Sequence, residues 1–219
     1  MRLSVPGHKD LRKIVVLNPK GGCGKSTLAT NLAGYLAKQG NSVAIMDFDP
    51  QRSSLDWLEA REDYDGVPII EGVDAVAGEA RAGRGTDIAL LDAPSGIYGS
   101  EMTHLLRRAN TLLVPVLASP IDMRAATRFI AELLNSGRIA RGQTRIGLIA
   151  NRVRENTRIY HELETFLSEY DIPLLTHLRE SQNYIRAAET GLGIFELAPS
   201  QVAADVVQWD PVIEWLGRG

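Results

Sequence analysis

Asn18-Pro-Lys-Gly-Gly-Cys-Gly-Lys-Ser-Thr27 is the stretch that decides the fold of this 219-residue chain. It follows an apolar run at 13–18 and precedes a helical pattern at 25–38, which is the context that a phosphate-binding loop requires. The glycines allow turns that aim several backbone N–H groups at one anion, and the helix adds the positive end of its dipole. The stretch therefore predicts a strand, a phosphate loop and a helix, in that order.

The side chains of this loop predict a nucleotide site. Lys25 can reach the β- and γ-phosphates of a nucleotide, and the Ser26 hydroxyl can ligate Mg²⁺. We expect the rest of the loop to contact the nucleotide as well, through Gly21, Gly22, Cys23, Gly24 and Thr27.

Short apolar runs alternate with helical patterns along the whole chain. Strands are predicted at 13–18, 42–48, 67–70, 87–91, 111–117, 144–151 and 172–176. Helices are predicted at 25–38, 53–62, 73–81, 101–108, 123–134, 158–170, 181–190 and 202–216, the last broken by Pro211. Several strands are continuously apolar, which is typical of strands covered on both faces. The pattern predicts one α/β domain over 1–219, a doubly wound, mostly parallel sheet of seven or eight strands.

Composition excludes several classes of protein. Hydrophobic residues make up 44% and charged residues 23% of the chain, as in soluble globular proteins. A single cysteine excludes an intrachain disulfide and a four-cysteine metal cage. No apolar run approaches the ~20 residues of a membrane span, and 1–13 lacks the apolar core of a secretory signal. We therefore expect a cytoplasmic protein, whose net charge of −3 argues against a uniformly basic DNA-coating protein.

Carboxylates follow two of the predicted strands. Asp47 and Asp49 lie in Met46-Asp-Phe-Asp-Pro-Gln51, and Asp92 ends the run Ile88-Ala-Leu-Leu-Asp92. Acids at the carboxyl ends of such strands face the ligand crevice. Asp92 is placed to contact Mg²⁺ or its waters. The Asp pair alone is ambiguous, because it would equally cap the helix at 53–62.

The loop resembles a known family. The pattern K-G-G-x-G-K-S at 20–26 is similar to the deviant Walker A motif of the ParA/MinD ATPases, which are P-loop NTPases. In that family the early lysine, here Lys20, reaches across a nucleotide-sandwich dimer to the partner's phosphates. The D-x-D-P-Q run resembles the family's second motif, which implies that Asp49 orients the attacking water and Asp47 supports the metal shell. The likeness covers about 13–197 and is nearest to the small plasmid-type ParA proteins.

The resemblance carries a set of functional expectations. It implies an ATPase that uses ATP and Mg²⁺, in which Asn151 contacts the adenine edge. It also implies a homodimer formed with ATP, non-specific binding to double-stranded DNA, and a ParB-like or cargo adaptor protein that stimulates hydrolysis. Such a protein acts on the nucleoid to position a plasmid, a chromosome region or a protein assembly such as a carboxysome, and the sequence does not choose among them.

An arginine-rich segment is the candidate DNA surface. From 138 to 158 there are six arginines and one acid, and phosphate contacts by such residues are individually weak and collectively salt-sensitive. The residues predicted to bind DNA are Arg152, Arg154, Arg158, Arg179 and Arg186. The alternative is that these arginines only solvate loops and helix ends.

Two other functions stay open at this point. A metabolic ATP-dependent ligase similar to dethiobiotin synthetase would share the fold, but it would have no use for Lys20 at a dimer seam. A regulatory nucleotide switch that binds only protein is the other. Membrane attachment through the C-terminal segment is disfavoured, because Asp205, Asp210 and Glu214 would oppose an anionic surface.

Overall fold

Seven parallel strands form one sheet in this computed structural model, which describes residues 11–78 and 80–218. The strands are β1 Arg12–Val16, β2 Val43–Asp47, β3 Glu71–Asp74, β4 Ile88–Asp92, β5 Thr111–Leu117, β6 Arg145–Val153 and β7 Leu174–Arg179. Their order is β3-β2-β4-β1-β5-β6-β7, and every neighbouring pair is parallel. The predicted doubly wound sheet is confirmed. Such sheets bind ligands outside the carboxyl ends of their strands, where the strand order reverses.

Helices cover both faces of the sheet. They are α1 Lys25–Lys38, α2 Ser53–Arg61, α3 Gly99–Arg108, α4 Pro120–Leu134, α5 Gly137–Ala140, α6 Arg158–Ser168, α7 Gln182–Glu189, α8 Pro199–Val206 and α9 Asp210–Gly217. Within β1, Val15 packs with the cluster under α3, α4 and α6, while Ile14 packs with the cluster under α1 and α9. Both residues are fully buried, which explains why the strand sequences are continuously apolar.

The C-terminal helices dock on the same cluster as α1. Pro211 lies in the first turn of α9, so the predicted break in this region is confirmed. Trp209, between α8 and α9, is completely buried and donates its ring N–H to the Tyr184 hydroxyl at 2.9 Å. The indole therefore fixes the C-terminal segment against α7.

A buried ion pair ties α2 to a one-turn 3₁₀ helix at Ile194–Glu196. The Arg61 guanidinium donates to both carboxylate oxygens of Glu196, at 2.6 and 2.8 Å, and the two side chains are 5% and 4% exposed. Arg61 also donates to the carbonyls of Pro68 and Gly191. Removing one partner from such a pair leaves a buried charge uncompensated.

Two predictions between 67 and 81 are wrong. The strand predicted at 67–70 is instead β3, Glu71–Asp74, and no helix forms over the described part of 73–81, since Val73 pairs with Met46 of β2. Residue 79 lies outside the described residues. The helical pattern does not prevail here, because pairing at the sheet edge satisfies the backbone of 71–74. Gly78 then takes φ = +83°, which ends any helical course.

Smaller differences concern β6 and β7. β6 extends to Val153, and β7 runs from Leu174 to Arg179 rather than over 172–176. The expectation about a secretory signal falls largely on residues 1–10, which lie outside the described residues. No helix in the described part of the chain has the length and apolar character needed to span a membrane.

Candidate nucleotide-binding site

The loop between β1 and α1 has the backbone of a phosphate cradle. Gly22 and Gly24 adopt φ = +76° and +93°, values that favour glycine. The Asn151 side-chain amide donates to the Cys23 carbonyl at 2.7 Å, and a Cβ on Gly24 would lie 2.2 Å from that same nitrogen. Only glycine fits at position 24 while the end of β6 holds the loop.

Asn18 and the Lys20 carbonyl close the other side of the loop. The Asn18 amide donates to the Pro115 carbonyl of β5 at 2.7 Å, and its oxygen accepts from the Lys20 N–H at 2.9 Å. The Lys20 carbonyl accepts from the Cys23 thiol at 3.2 Å and from the Lys25 ammonium at 3.3 Å. Burial raises the pKa of that thiol, so Cys23 packs rather than reacts. Sequence reasoning gave Asn18 no role, although its position at a strand end was a signal.

The two lysines of the loop differ in environment. Lys25 is only 7% exposed and points into the loop, whereas Lys20 is exposed. The Lys20 ammonium makes no hydrogen bond and no ion pair with any residue that the structure describes. It is therefore free to meet an anion that the loop itself does not hold.

Asp47 braces the turn after β2. Its carboxylate is fully buried, and its two oxygens accept from the backbone N–H groups of Asp49 and Ser54, both at 2.9 Å. Burial raises the pKa of Asp47, and these N–H donors oppose the rise. The carboxylate thus caps the first turn of α2, as the capping alternative expected, and the metal-shell role stays a prediction.

Asp92 has a buried carboxylate oxygen without a hydrogen-bond partner, as expected of a metal ligand in the absence of its metal. It is 1% exposed, and one oxygen accepts from the Ser54 hydroxyl at 2.6 Å, while the other, Oδ1, has no partner. Burial raises the pKa of Asp92 to about 6, against the lowering effect of the Ser26 and Ser54 hydroxyls. An orphaned buried oxygen beside Ser26 fits Mg²⁺ held jointly with a phosphate ligand.

No protein-only metal cage competes with that arrangement. Across residues 11–78 and 80–218, no group of three His, Cys, Asp or Glu side chains is placed to hold an ion. Ser54 was not predicted, because its contact with Asp92 spans 38 positions of sequence.

Asp49 links the loops that follow β2 and β4. Its Oδ1 accepts from the Gln51 N–H at 3.0 Å, and its Oδ2 accepts from the Ser95 N–H at 3.3 Å. The next N–H along, of Gly96, donates to the Pro19 carbonyl at 2.7 Å. The loop after β4 therefore touches both the carboxylate and the phosphate loop, a role of Ser95 that the sequence did not indicate.

Two cavities meet at the phosphate loop. One, of about 660 Å³, is lined by polar groups that include Lys25, Ser26, Asp49 and Ser95, with the buried Trp57 in its wall. The other, of about 400 Å³, has a more apolar lining; its wall includes Asn151, Glu180, Tyr184 and Trp209. They share Gly22, Gly24, Thr27 and Ala188. The site thus offers a polar end for phosphates and an apolar end for a base.

Residues 14–194 match the family model of the CobQ/CobB/MinD/ParA nucleotide binding domain. The chain belongs to this family. The predicted family membership and P-loop fold are confirmed, since the matched residues run from β1 to the 3₁₀ helix and include every loop described above.

Relatives of known name support the same placement. Maintenance of carboxysome distribution protein A from Halothiobacillus neapolitanus is 29% identical over 200 residues, which cover 89% of this chain and 92% of that protein. Chromosome-partitioning ATPase Soj from Thermus thermophilus is 30% identical over 155 residues, 56% of this chain and 61% of that protein. An ATP complex of a McdA variant from Cyanothece superposes with a TM-score of 0.68 at 17% identity, covering 92% and 96% of the two chains, and shows the shared fold.

The arginines predicted to bind DNA are mostly paired with acids in this member of the CobQ/CobB/MinD/ParA family. Glu180 accepts from Arg152 at 3.1 Å and from Arg154 at 2.6 Å, and both arginines lower its pKa. The other two ion pairs are Arg158 with Glu162 at 2.7 Å and Arg179 with Asp205 at 2.6 Å. Arg186 is exposed and in no ion pair within the described chain. DNA binding by these five residues stays a prediction.

Proposed function

We propose that this protein is a ParA-type positioning ATPase. It binds ATP with Mg²⁺, closes into a homodimer, holds double-stranded DNA without sequence preference, and hydrolyses ATP to ADP and phosphate. The observation that carries the proposal is the free, exposed Lys20 ammonium beside a loop whose own lysine, Lys25, is buried. A second lysine at the entry is superfluous for one nucleotide and useful for a partner's.

Nucleotide binding rests on the phosphate loop and the two cavities. Lys25 and the N–H groups from Gly21 to Thr27 hold the phosphates, and the base lies toward Asn151 in the more apolar cavity. The Ser26 hydroxyl and the free oxygen of Asp92 hold Mg²⁺, which neutralises phosphate charge when bound. Asp47 supports this arrangement from behind, by fixing the turn that carries Asp49.

Hydrolysis is assigned to Asp49. Its Oδ1 is held by Gln51, which leaves Oδ2, now on the weak 3.3 Å bond from Ser95, to accept a hydrogen bond from water. The water oxygen attacks the γ-phosphorus, the bond to the β–γ bridging oxygen breaks, and the water proton leaves toward Asp49. The loop after β4 then changes its position when phosphate departs.

Dimerisation is assigned to Lys20. Each lysine reaches the nucleotide of the other subunit, so that the dimer is complete only when both sites are loaded.

The two relatives named above act, by their names, in carboxysome distribution and chromosome partitioning. We extend that class of activity to this chain: a nucleoid-associated, cytoplasmic protein whose ATPase a ParB-like or cargo adaptor protein stimulates. The docking of α8 and α9 on the cluster of α1 supports one ATPase domain over 1–219.

The test compares Lys20→Ala with Lys38→Ala, which removes an exposed lysine at the far end of α1 whose ammonium donates to the Phe195 carbonyl at 2.8 Å. Light scattering with ATP and Mg²⁺ should show a dimer for the parent protein and for Lys38→Ala, and a monomer for Lys20→Ala. Filter binding should show that all three still bind ATP. A Lys20→Ala protein that dimerises normally would remove the main support for the proposal.

A further inference from the structure

Basic residues cluster at the end of the sheet where the strands begin, opposite the nucleotide site. β1 begins at Arg12, β5 follows the end of α3, and β6 begins at Arg145 after α5. In a parallel sheet the amino ends of all strands lie at the same end of the sheet. Six cations lie at or next to these strand starts, and we call them the basic face: Arg12, Lys13, Arg107, Arg138, Arg141 and Arg145.

Backbone contacts around Asn110 bring members of the basic face together. The Lys13 N–H donates to the Asn110 side-chain oxygen at 2.7 Å, and the Arg145 N–H donates to the Asn110 carbonyl at 3.0 Å. The Arg138 guanidinium reaches the carbonyl of Ala109 at 3.4 Å. The starts of the neighbouring strands β1, β5 and β6 thus meet at one exposed asparagine.

These cations have no carboxylate partner within the described chain. Arg12 and Arg145 donate to the carbonyls of Leu216 and Trp215 at the end of α9, and one nitrogen of Arg145 is buried without any acceptor. Burial and then the neighbouring charge of Arg145 lower the pKa of Arg12. These two half-buried guanidinium groups therefore add positive charge beneath the surface, whereas Arg107 and Arg141 are exposed and can contact a ligand directly.

Two of the nearby acids are held by other groups, while the exposed Asp171, which precedes β7, also lies at this end of the sheet. Asp87, beside the start of β4, accepts from the Ser42 N–H at 2.9 Å, and Glu214 of α9 pairs with Arg218 at 3.4 Å. By contrast, each of the arginines at 152, 154, 158 and 179 forms an ion pair with a carboxylate. On a chain of net charge −3, the basic face gathers six cations, none of which is bound by a described carboxylate.

We propose that the basic face, rather than the segment around Arg152 and Arg154, binds the phosphates of duplex DNA; this rests on the proposed function and gives its DNA contact a place. Arginine and lysine without acidic partners suit a polyanion, and none of the large hydrophobic side chains exposed in the described chain belongs to the face. The exposed hydrophobic residue nearest to α5 in sequence, Leu134 at the end of α4, is a single side chain, which is less than the apolar anchor that protein partners and membranes require.

The location predicts how ATP acts on DNA binding. A dimer closed over the nucleotide site leaves both basic faces open, because they lie at the opposite end of each sheet, where the strands begin. ATP then strengthens binding by joining two weak faces in one particle, since the second face binds at a high effective concentration. The monomer keeps a weak, salt-sensitive affinity of its own.

The experiment compares two double variants with the same change of charge. Arg107→Glu with Arg141→Glu alters two exposed members of the basic face, and Arg154→Glu with Arg158→Glu alters two exposed arginines of the paired segment, neither of which lines a cavity of the nucleotide site. Fluorescence anisotropy with a random-sequence duplex, ATP and Mg²⁺ is measured over a series of salt concentrations. The first variant should bind at least about tenfold more weakly, and its salt slope should fall by about 0.9 for each DNA phosphate that is no longer neutralised. The second should bind nearly as the parent does.

Controls keep the outcomes distinct. Arg107→Lys with Arg141→Lys should bind DNA like the parent, and ATP-dependent dimerisation should be unchanged in every variant. If the parent binds DNA and Arg107→Glu with Arg141→Glu binds equally well, the basic face is not the DNA surface, although the proposed function stands. If the parent hydrolyses ATP and dimerises but binds polyglutamate or anionic vesicles instead of DNA, the DNA part of the proposed function fails as well.

Discussion

The backbone N–H of Ser95 donates to Oδ2 of Asp49 at 3.3 Å, and both residues line the polar cavity. Bonds of this kind are shorter when strong, so this one is easily exchanged. The carboxylate can move from the backbone to a water molecule at little energetic cost. In the proposed mechanism, the pairing of these two residues therefore couples the activation of water to the position of the loop after β4.

Replacing Asp49 by Ala should separate binding from hydrolysis. The phosphate loop does not depend on this side chain, so ATP affinity and dimerisation should stay within about twofold of the parent. Turnover should fall by about a hundredfold or more, the range for loss of a positioned base. A phosphate-release assay measures this, with Asp56→Ala, in the wall of the same cavity, as the control. Parental turnover in the Asp49 variant would refute the assignment.

Asp92 should make stability depend on pH in a chelator without nucleotide. Its folded pKa, about 6, lies above the ordinary value of 3.8, so the folded state holds the proton more tightly. The stabilisation is complete below about pH 4 and is lost as pH rises to about 6, about 3 kcal/mol in all. Urea unfolding of Asp92→Asn should lack this loss. The difference between variant and parent should grow with pH over that window; a constant difference would show an ordinary carboxyl.

Gly24→Ala should be more costly than the same change at Gly40. Both glycines have positive φ, +93° and +85°, but only at Gly24 would a Cβ meet a neighbour, the Asn151 amide. Backbone strain of about 1 kcal/mol or more is common to both, and the clash adds to it at position 24 alone. Thermal unfolding and ATP binding should show the larger loss of stability, and any loss of affinity, only in Gly24→Ala. Equal effects at the two positions would mean that Asn151 moves aside freely.

Glu196→Ala should destabilise the protein by about 3–5 kcal/mol, because it strands the buried Arg61 charge. The control is Glu59→Ala, which removes an exposed pair with Arg52 at 3.6 Å and should cost less than about 1 kcal/mol. Denaturant unfolding measures both variants. Similar losses of stability would show that solvent reaches Arg61.

Local sequence predicted the parts of the molecule that local forces determine. The apolar runs of β1, β2, β4 and β5 and the glycines of the loop were sufficient to place Lys25, Ser26 and Asp49 around one cavity. The segment at 67–81 was mispredicted because β3 is an exposed edge strand, held by pairing with β2 rather than by an apolar pattern. The ion pair of Arg152 with Glu180 joins residues 28 positions apart. No charge pattern along the chain reveals such a pairing.

Ser54 gives the site an optical consequence. It donates its N–H to Asp47 and its hydroxyl to Asp92, and Trp57 lies one turn further along α2, in the cavity wall. In the proposed function Mg²⁺ binds the free oxygen of Asp92, whose other oxygen accepts from that hydroxyl, so that loading of the site shifts the first turn of α2 and changes the surroundings of the indole. Binding of ATP and Mg²⁺ should therefore change the wavelength and intensity of tryptophan fluorescence, without an attached dye. This change should be absent in Trp57→Phe.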